Sequence, residues 1–355
     1  MTKYQSWHVF RWIDILLLFI PVSAILFYLH LNSIATFITA ALSIVALTHI
    51  LASSSGIIAA QVSNTASALL NATFGNAVEL FVAIFALRHG LVDMVKASIV
   101  GSIIINVLLL IGLAMIAGGL KYKQQKFNKD SAGLSSTMLI IVVIGLVLPS
   151  LYSMIEGRSN QAMSQGVSVI LGVMYLLGLL YMLVTHRHLF VVERTVQQTK
   201  DGRRTIGPAV AILIGSTVLV GFESNILVST IEPLILQTGL SQMFIGLVVI
   251  ALLTNIPEHI SAIGFARQNN ITLSLEIGLN SATQIALFVV PVLVLFSSVF
   301  MSPPLDLVFT PFELAAVVIT AIIANAISPD GVCHWLEGAQ LVAIYLLIAT
   351  AFYFI

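Results

Sequence analysis

Eleven times along this chain a predominantly apolar stretch runs long enough to cross a bilayer, and that repetition leaves few folds open. The stretches are 14–30, 34–58, 62–88, 91–120, 135–153, 166–186, 206–230, 241–267, 271–300, 308–328 and 334–355. In helical form about 20 apolar residues cover the roughly 30 Å of hydrocarbon. Transmembrane strands would give segments of about ten alternating residues, and these runs are too long and too uniformly apolar for that. Composition agrees, because 59% of the 355 residues are hydrophobic and only 8% are charged, against about 25% charged in a soluble domain. An all-α polytopic membrane protein of about 11 transmembrane helices is expected. The first stretch lacks a small-residue cleavage site and the second follows almost at once, so it reads as a retained helix and not a signal peptide.

Formal net charge is zero, which implies no nucleic acid or other anionic partner; the lipid bilayer is the expected surrounding. The basic residues are placed unevenly. With a cytoplasmic N-terminus, the inside holds 12 of them: Lys3, Arg11, Lys121, Lys123, Lys126, Lys129, Arg187, Arg194, Lys200, Arg203, Arg204 and Arg267. The outside holds only Arg88, Lys96 and Arg158. The positive-inside rule predicts that asymmetry, and shifting the count by one span destroys it. The single cysteine, Cys333, permits no internal disulfide.

Glu79 lies within the third stretch and Glu258 within the eighth, 179 residues apart (258 − 79). The same offset carries Asn76 onto Asn255, Ala83 onto Ala262, Ile84 onto Ile263, Arg88 onto Arg267 and Ser102 onto Ser281. A coincident Asn, Glu, Arg and Ser in one ungapped register reads as an internal repeat. By the span count Arg88 ends its helix outside and Arg267 ends its helix inside, so the repeats are inverted. That is the plan of many secondary transporters, whose site lies near the midplane where broken helices of the two halves meet.

A carboxylate at the centre of a membrane helix costs about 2.5 to 3.5 kcal/mol, so Glu79 and Glu258 need partners or a water-filled cavity. Inverted repeats bring the two carboxylates face to face near the midplane. Like charges there cannot both stay ionised cheaply, so the pair titrates as a unit and holds either protons or a divalent cation. Competition between them is an exchange mechanism. Calcium also wants hard oxygens from amides and backbone carbonyls. Gly75 and Pro257 mark helix-break positions beside the two glutamates, where freed carbonyls become available. Ser102 and Asn106, with Ser281 and Gln284, stand on the following helices as ligands or as helix-packing partners. His259 is a proton relay or a hydrogen-bonded packing residue. Glu276, Glu313 and Glu337 fall within a turn or two of a span end and read as interfacial, whereas Glu223 lies deeper and is a candidate for an access path.

These residues resemble the calcium/proton antiporters of the calcium:cation antiporter superfamily. "LLNATFGNAVELFVAIFALRHG" (69–90) is similar to the first family signature and "NIPEHISAIGFARQNN" (255–270) to the second, with "SATQIALFVVPVLVL" (281–295) and "DGVCHWLEG" (330–338) extending the likeness almost to the C-terminus. The resemblance implies a peripheral N-terminal helix (1–32), a five-helix repeat (33–186), a basic cytoplasmic linker (187–205) and a second, inverted five-helix repeat (206–355). It also implies Glu79 and Glu258 as the ion and proton ligands, the metal-binding pair, supported by Asn76 and Asn255, with Ser102, Asn106, Ser281 and Gln284 on the crossing helices. Several positions depart from the family pattern: Thr254 replaces a glycine, Ile256 and Pro257 replace small residues, Asn280 replaces a glycine, Ser55 and Gly56 stand where Thr-Glu is common, and Cys333-His334 replaces Ser-Asn. The linker also lacks an acidic run. Thr254 is therefore a selectivity candidate, and Cys333-His334 adds softer donors that suit manganese if they reach the site.

The expected function is secondary antiport of calcium, the transported substrate, against protons by alternating access, with no cofactor. Exchange of manganese, sodium or potassium is the alternative within transport. A channel usually needs a ring of subunits and suits opposed repeats less well; a non-transporting homologue also stays open. "PEHIS" has no second histidine four residues after the first, so it is no HExxH zinc site and no enzyme is expected. The expected location is a bacterial plasma membrane, with a vacuolar membrane the weaker option; whether the chain forms a homo-oligomer is left open.

Overall fold

The computed structural model describes residues 13–185 and 206–355. The basic linker expected at 187–205, and Lys3 and Arg11 of the charge count, lie outside the described residues.

After a 3₁₀ turn (Ile15–Leu18), the helices are α1 (Phe19–Tyr28), α2 (Ser33–Ala59), α3 (Asn64–Phe74), α4 (Ala77–Arg88), α5 (Val92–Gly119), α6 (Lys129–Glu156) and α7 (Gln161–Leu180). They continue as α8 (Ile206–Ser229), α9 (Ile231–Thr238), α10 (Gln242–Thr254), α11 (Ile256–Ala266), α12 (Ile271–Phe300), α13 (Pro311–Ile327) and α14 (Trp335–Tyr353). Each of the eleven expected spans is helical over most of its length. Seven are single apolar helices long enough to cross a bilayer: α2, α5, α6, α7, α8 with α9, α12 and α14. The pair α10 and α11 is one apolar stretch bent by 57°, the stretch 62–88 is split into α3 and α4, and α1 and α13 are shorter apolar helices.

Local chemistry sets the helix ends. Asn128 starts α6 by accepting from the backbone N–H groups of Asp130 and Ser131, and Gly157, left-handed at φ 67°, ends it. The span therefore begins six residues before the apolar run does, because capping and not hydropathy decides the start. Thr310 and Glu313 close a capping box on α13, and His334 with Glu337 does the same for α14. Glu313 thus lies in the first turn of its helix, at the span end, and is buried there as part of the cap.

The described chain forms two compact units, each drawing on both halves of the sequence. One contains α1–α4, α8 and α9. Here α8 lies along α2 and α4, and α1 packs on α2 and α8. The other contains α5, α6, nearly all of α7 and α10–α14. Its centre is α5, whose most apolar window is 83% buried, so it is apolar on every face. Glycines let other helices reach the α5 backbone. A Cβ on Gly101 would stand 2.2 Å from the Leu247 carbonyl oxygen, and one on Gly246 would stand 2.4 Å from that of Met94. Gly112 and Gly338 make the same kind of contact between α5 and α14. A two-residue antiparallel bridge, β1 (Gln125–Lys126) with β2 (Val332–Cys333), joins the segments after α5 and before α14.

Residues 301–310 are non-helical, yet Leu305, Leu307 and Phe309 are buried. Non-helical backbone at such depth survives only where protein groups satisfy it. Serines supply them: Ser297 accepts from Leu305 N–H, Ser164 from Leu307 N–H and Ser150 from Phe309 N–H. Lys96 of α5 binds the Asp306 carboxylate and the Val308 carbonyl in the same segment. Large apolar side chains stay exposed along α6 (Ile144, Leu148, Leu151), α7 (Ile170, Leu176) and α8 (Ile214, Val218).

Candidate functional site

Both glutamates follow the same backbone event. The chain leaves the helix at Asn76, with φ −108° and ψ 17°, and at Asn255, with φ −104° and ψ 10°. A new helix then starts, and its third residue is Glu79 in one case and Glu258 in the other. The asparagine carbonyl accepts the first intrahelical hydrogen bond of the new helix, from Leu80 N–H at 3.1 Å and from His259 N–H at 3.2 Å. A carboxylate in a first turn is favoured by the helix dipole and the unpaired N–H groups there, which offsets part of the cost of its depth.

The offset of 179 recurs further on. Left-handed residues end the paired helices at Gly90 (φ 75°) and Asn269 (φ 63°), since 90 + 179 = 269. The next helix of each copy then carries a π turn, at Ile105–Leu110 and Ile285–Val289. Such turns free a carbonyl from the regular ladder and recur at functional sites. Asn106 lies inside the first π turn and Gln284 immediately precedes the second.

The break positions differ from expectation by one or two residues. Gly75 remains right-handed (φ −64°, ψ −29°), and its N–H still bonds the Asn71 carbonyl. Glycine is needed there for space, because a Cβ would stand 2.3 Å from the Asn71 carbonyl oxygen. Pro257 occupies the first turn of α11, where its missing N–H needs no partner. The helices break at the asparagines.

Around Asn255 the second unit builds a closed hydrogen-bond network. Its side-chain Nδ2, with two hydrogens to give, lies 2.8 Å from the Ala251 carbonyl, 3.2 Å from the Thr254 hydroxyl and 3.3 Å from the Ser102 hydroxyl. Its Oδ1 accepts from Asn106 Nδ2 at 2.7 Å, and its backbone carbonyl lies 2.7 Å from His259 Nδ1. A carbonyl only accepts, so Nδ1 carries a hydrogen, and the His259 ring is buried against the break. Thr254 is likewise buried in this network. Beside this network, two buried acceptor oxygens have no hydrogen-bond partner among the described residues: Asn106 Oδ1 and Glu258 Oε2. Hard oxygens lacking donors are the groups a proton or a calcium ion satisfies.

Glu79 is half-buried in the first turn of α4, and Asn76 before it is buried. Gly278 of α12 lies against the Asn106 carbonyl, where a Cβ would come within 2.7 Å; Ser281, one turn on, contributes no hydrogen bond to the Asn255 network. Gln284 is partly exposed on the same helix. At the replaced Thr-Glu position, Ser55 donates to Asn71 Oδ1 at 3.2 Å, linking α2 to α3.

Cys333 and His334 supply no soft-metal site. Cys333 is buried in β2, and burial, reinforced by Glu337, pushes its thiol up to about 12. His334 Nδ1 lies 3.3 Å from the Glu337 carboxylate at the start of α14. Among the described residues no three His, Cys, Asp or Glu side chains group as a metal cluster. Sequence reasoning missed the π turns and the brace formed by Thr254. It also left Glu223 without a partner, whereas the structure gives it Ser23.

A polytopic helical membrane protein with two broken helices, each placing a glutamate three residues after an asparagine, defines an ion-exchanger class. The sequence profile described as "Sodium/calcium exchanger protein" matches residues 32–184 and 208–354, and the chain belongs to that family. It is a transport protein and not an enzyme. A Ca(2+)/H(+) antiporter of Aphanothece halophytica is 39% identical over 360 residues, spanning 96% of this chain and 95% of its own. The Ca(2+)/H(+) antiporter ChaA of Bacillus subtilis is 37% identical, spanning 94% and 96%. Among solved structures, native YfkE superposes with a TM-score of 0.83 at 35% identity, covering 97% of this chain and all of its own. The H+/Ca2+ exchanger CAX, at 15% identity and a TM-score of 0.70 over 96% of this chain and 91% of its own, shares the fold.

Proposed function

We propose that this chain is a secondary active antiporter that moves calcium against protons by alternating access, with Glu79 and Glu258 binding calcium or protons competitively. The observation that carries the reading is the repeated break: the same backbone angles at Asn76 and Asn255, each followed by a carboxylate in the first turn of a new helix. The names of relatives spanning nearly the whole chain support the choice of substrates.

In this reading each transported calcium is held by both carboxylates and by amide and hydroxyl oxygens of Asn76, Asn106, Ser102, Ser281 and Gln284. Asn255 acts from behind, because its amide is fully occupied in fixing the break. Protonation of the glutamates removes the charge that holds calcium, so protons arriving from one side expel the ion and calcium arriving from the other expels protons. Thr254 is bonded to Asn255, and Cys333 holds its proton, so neither favours a softer metal over calcium. The N-terminus is cytoplasmic and the membrane is a bacterial plasma membrane, as the basic-residue asymmetry and the bacterial relatives suggest.

Calcium uptake into inverted vesicles under an imposed proton gradient tests the proposal. Wild type takes up calcium, and Glu79→Gln and Glu258→Gln each fall to the level of empty vesicles while folding normally. Undiminished uptake in either variant overturns the role of that glutamate. Stronger competition by manganese, sodium or potassium than by calcium itself overturns the choice of ion.

A further inference from the structure

Outside this machinery a second question of charge arises at Glu223, a buried carboxyl that caps no helix. Glu223, about three-quarters of the way along α8, is fully buried, and among the described residues its only hydrogen-bond partner is the Ser23 hydroxyl of α1, 2.8 and 2.9 Å from its two oxygens. Ser23 is itself fully buried and is the one buried residue of α1. Docking of this apolar helix is therefore centred on a polar contact.

Counting hydrogens defines the state of that contact. Ser23 Oγ also lies 2.8 Å from the Ile20 carbonyl oxygen. A serine has one hydroxyl hydrogen, whereas a carbonyl and an ionised carboxylate are acceptors only. With a proton on Glu223, its O–H donates to Ser23 Oγ and the Ser23 O–H donates to Ile20, so each short contact has its own hydrogen. Without that proton, one hydrogen must serve both, and a buried charge is left with a single weak donor.

Among the described residues no opposite charge offers an alternative. The titratable or charged groups on the elements packed against α8 are Asp14 and Tyr28 beside or on α1, His49 on α2, Glu79 and Arg88 on α4, and Glu232 on α9. None of these forms an ion pair with Glu223, and His49 Nδ1 lies 3.9 Å from the Asp14 carboxylate. Glu223 also faces away from the glutamate of the first signature. Gly221 packs on the Phe81 ring of α4, with a would-be Cβ 3.5 Å from it, and two residues of helix turn Glu223 about 200° from that face.

We propose that Glu223, capped by Ser23, is a proton-binding site separate from Glu79 and Glu258, and that its proton latches α1 onto α8. Loss of the proton releases α1 and uncovers the carboxylate to water. The pH of the surrounding medium thereby sets α1 docking independently of the transported ions.

Spin labels at Tyr28→Cys and Val218→Cys, both exposed in the structure, report the α1–α8 distance in liposomes, in a Cys333→Ser background. The short distance should dominate at acidic pH and lose most of its population at alkaline pH. Glu223→Gln, whose amide can donate to Ser23, should stay short at every pH, and Ser23→Ala should lengthen the distance even at acidic pH. A transport-dead Glu79→Gln/Glu258→Gln chain should keep the wild-type response, which separates failure of this latch from failure of the antiport reading. A wild-type distance that ignores pH overturns the proposal whether or not any variant folds. So does a response that disappears with Glu79 and Glu258.

Discussion

Cys333 illustrates how a single side chain reads differently in sequence and in space. Beside a histidine near the C-terminal signature it looks like a soft ligand; paired in β2 against Gln125 it is an enclosed thiol. Burial first, and the Glu337 charge second, raise it from an ordinary 9.0 to about 12. At pH 8 the gap of about four units leaves roughly one thiol in ten thousand ionised. Maleimide should therefore label the native protein negligibly at that pH and label it fully in denaturant; rapid native labelling would contradict the enclosed position. The folded chain holds this proton more tightly than the unfolded chain. The stabilisation it brings is present below pH 9 and is lost as pH rises from there toward 12. Glu79 and Glu258 were legible in the sequence because a carboxylate in an apolar run has few structural explanations. Thr254 and His259 were not, because their roles depend on a break that places the Asn255 amide and carbonyl within reach.

Between elements, the decisive contacts are made where side chains are missing. At the α5–α10 crossing, Gly101 meets the Leu247 backbone and Gly246 meets the Met94 backbone, so small residues admit close helix approach as they do in many membrane bundles. Neither neighbour is a flexible side chain, so neither can give way. Gly101→Ala and Gly246→Ala should each cost about 1 to 3 kcal/mol, the range for overpacking a well-packed site. Gly264 of α11 is the control, since a Cβ there meets nothing within 4 Å, and Gly264→Ala should be neutral or stabilise by up to about 1 kcal/mol. Unfolding midpoints in one detergent would rank the three, and equal losses at all three would refute the crossing. The spans were legible because lipid imposes length and apolarity on a helix. The exact breaks and the π turns were not, because they follow from how hydrogen bonds are shared between neighbouring turns, and hydropathy does not encode that.

For the whole molecule, the halves are predicted to run in opposite directions through the membrane. The offset of 179 now rests on backbone as well as residues, through the breaks at Asn76 and Asn255, the left-handed Gly90 and Asn269, and the π turns that follow. Compact packing does not follow the sequence halves, because each unit takes helices from both, so direction must be tested directly. His89 and Gln268 are images of one another under the offset (89 + 179 = 268), and both are exposed at the ends of their helices. With the native thiol removed by Cys333→Ser, His89→Cys should react with a membrane-impermeant maleimide added outside intact cells. Gln268→Cys should react only in inverted vesicles, consistent with Arg267 among the cytoplasmic basic residues. Reaction of both from one side would make the repeats parallel. Reaction from the two sides in the reverse order would keep the inversion but place the N-terminus outside. Only the expected order joins the inverted repeat to the charge asymmetry, and with them gives calcium export its direction.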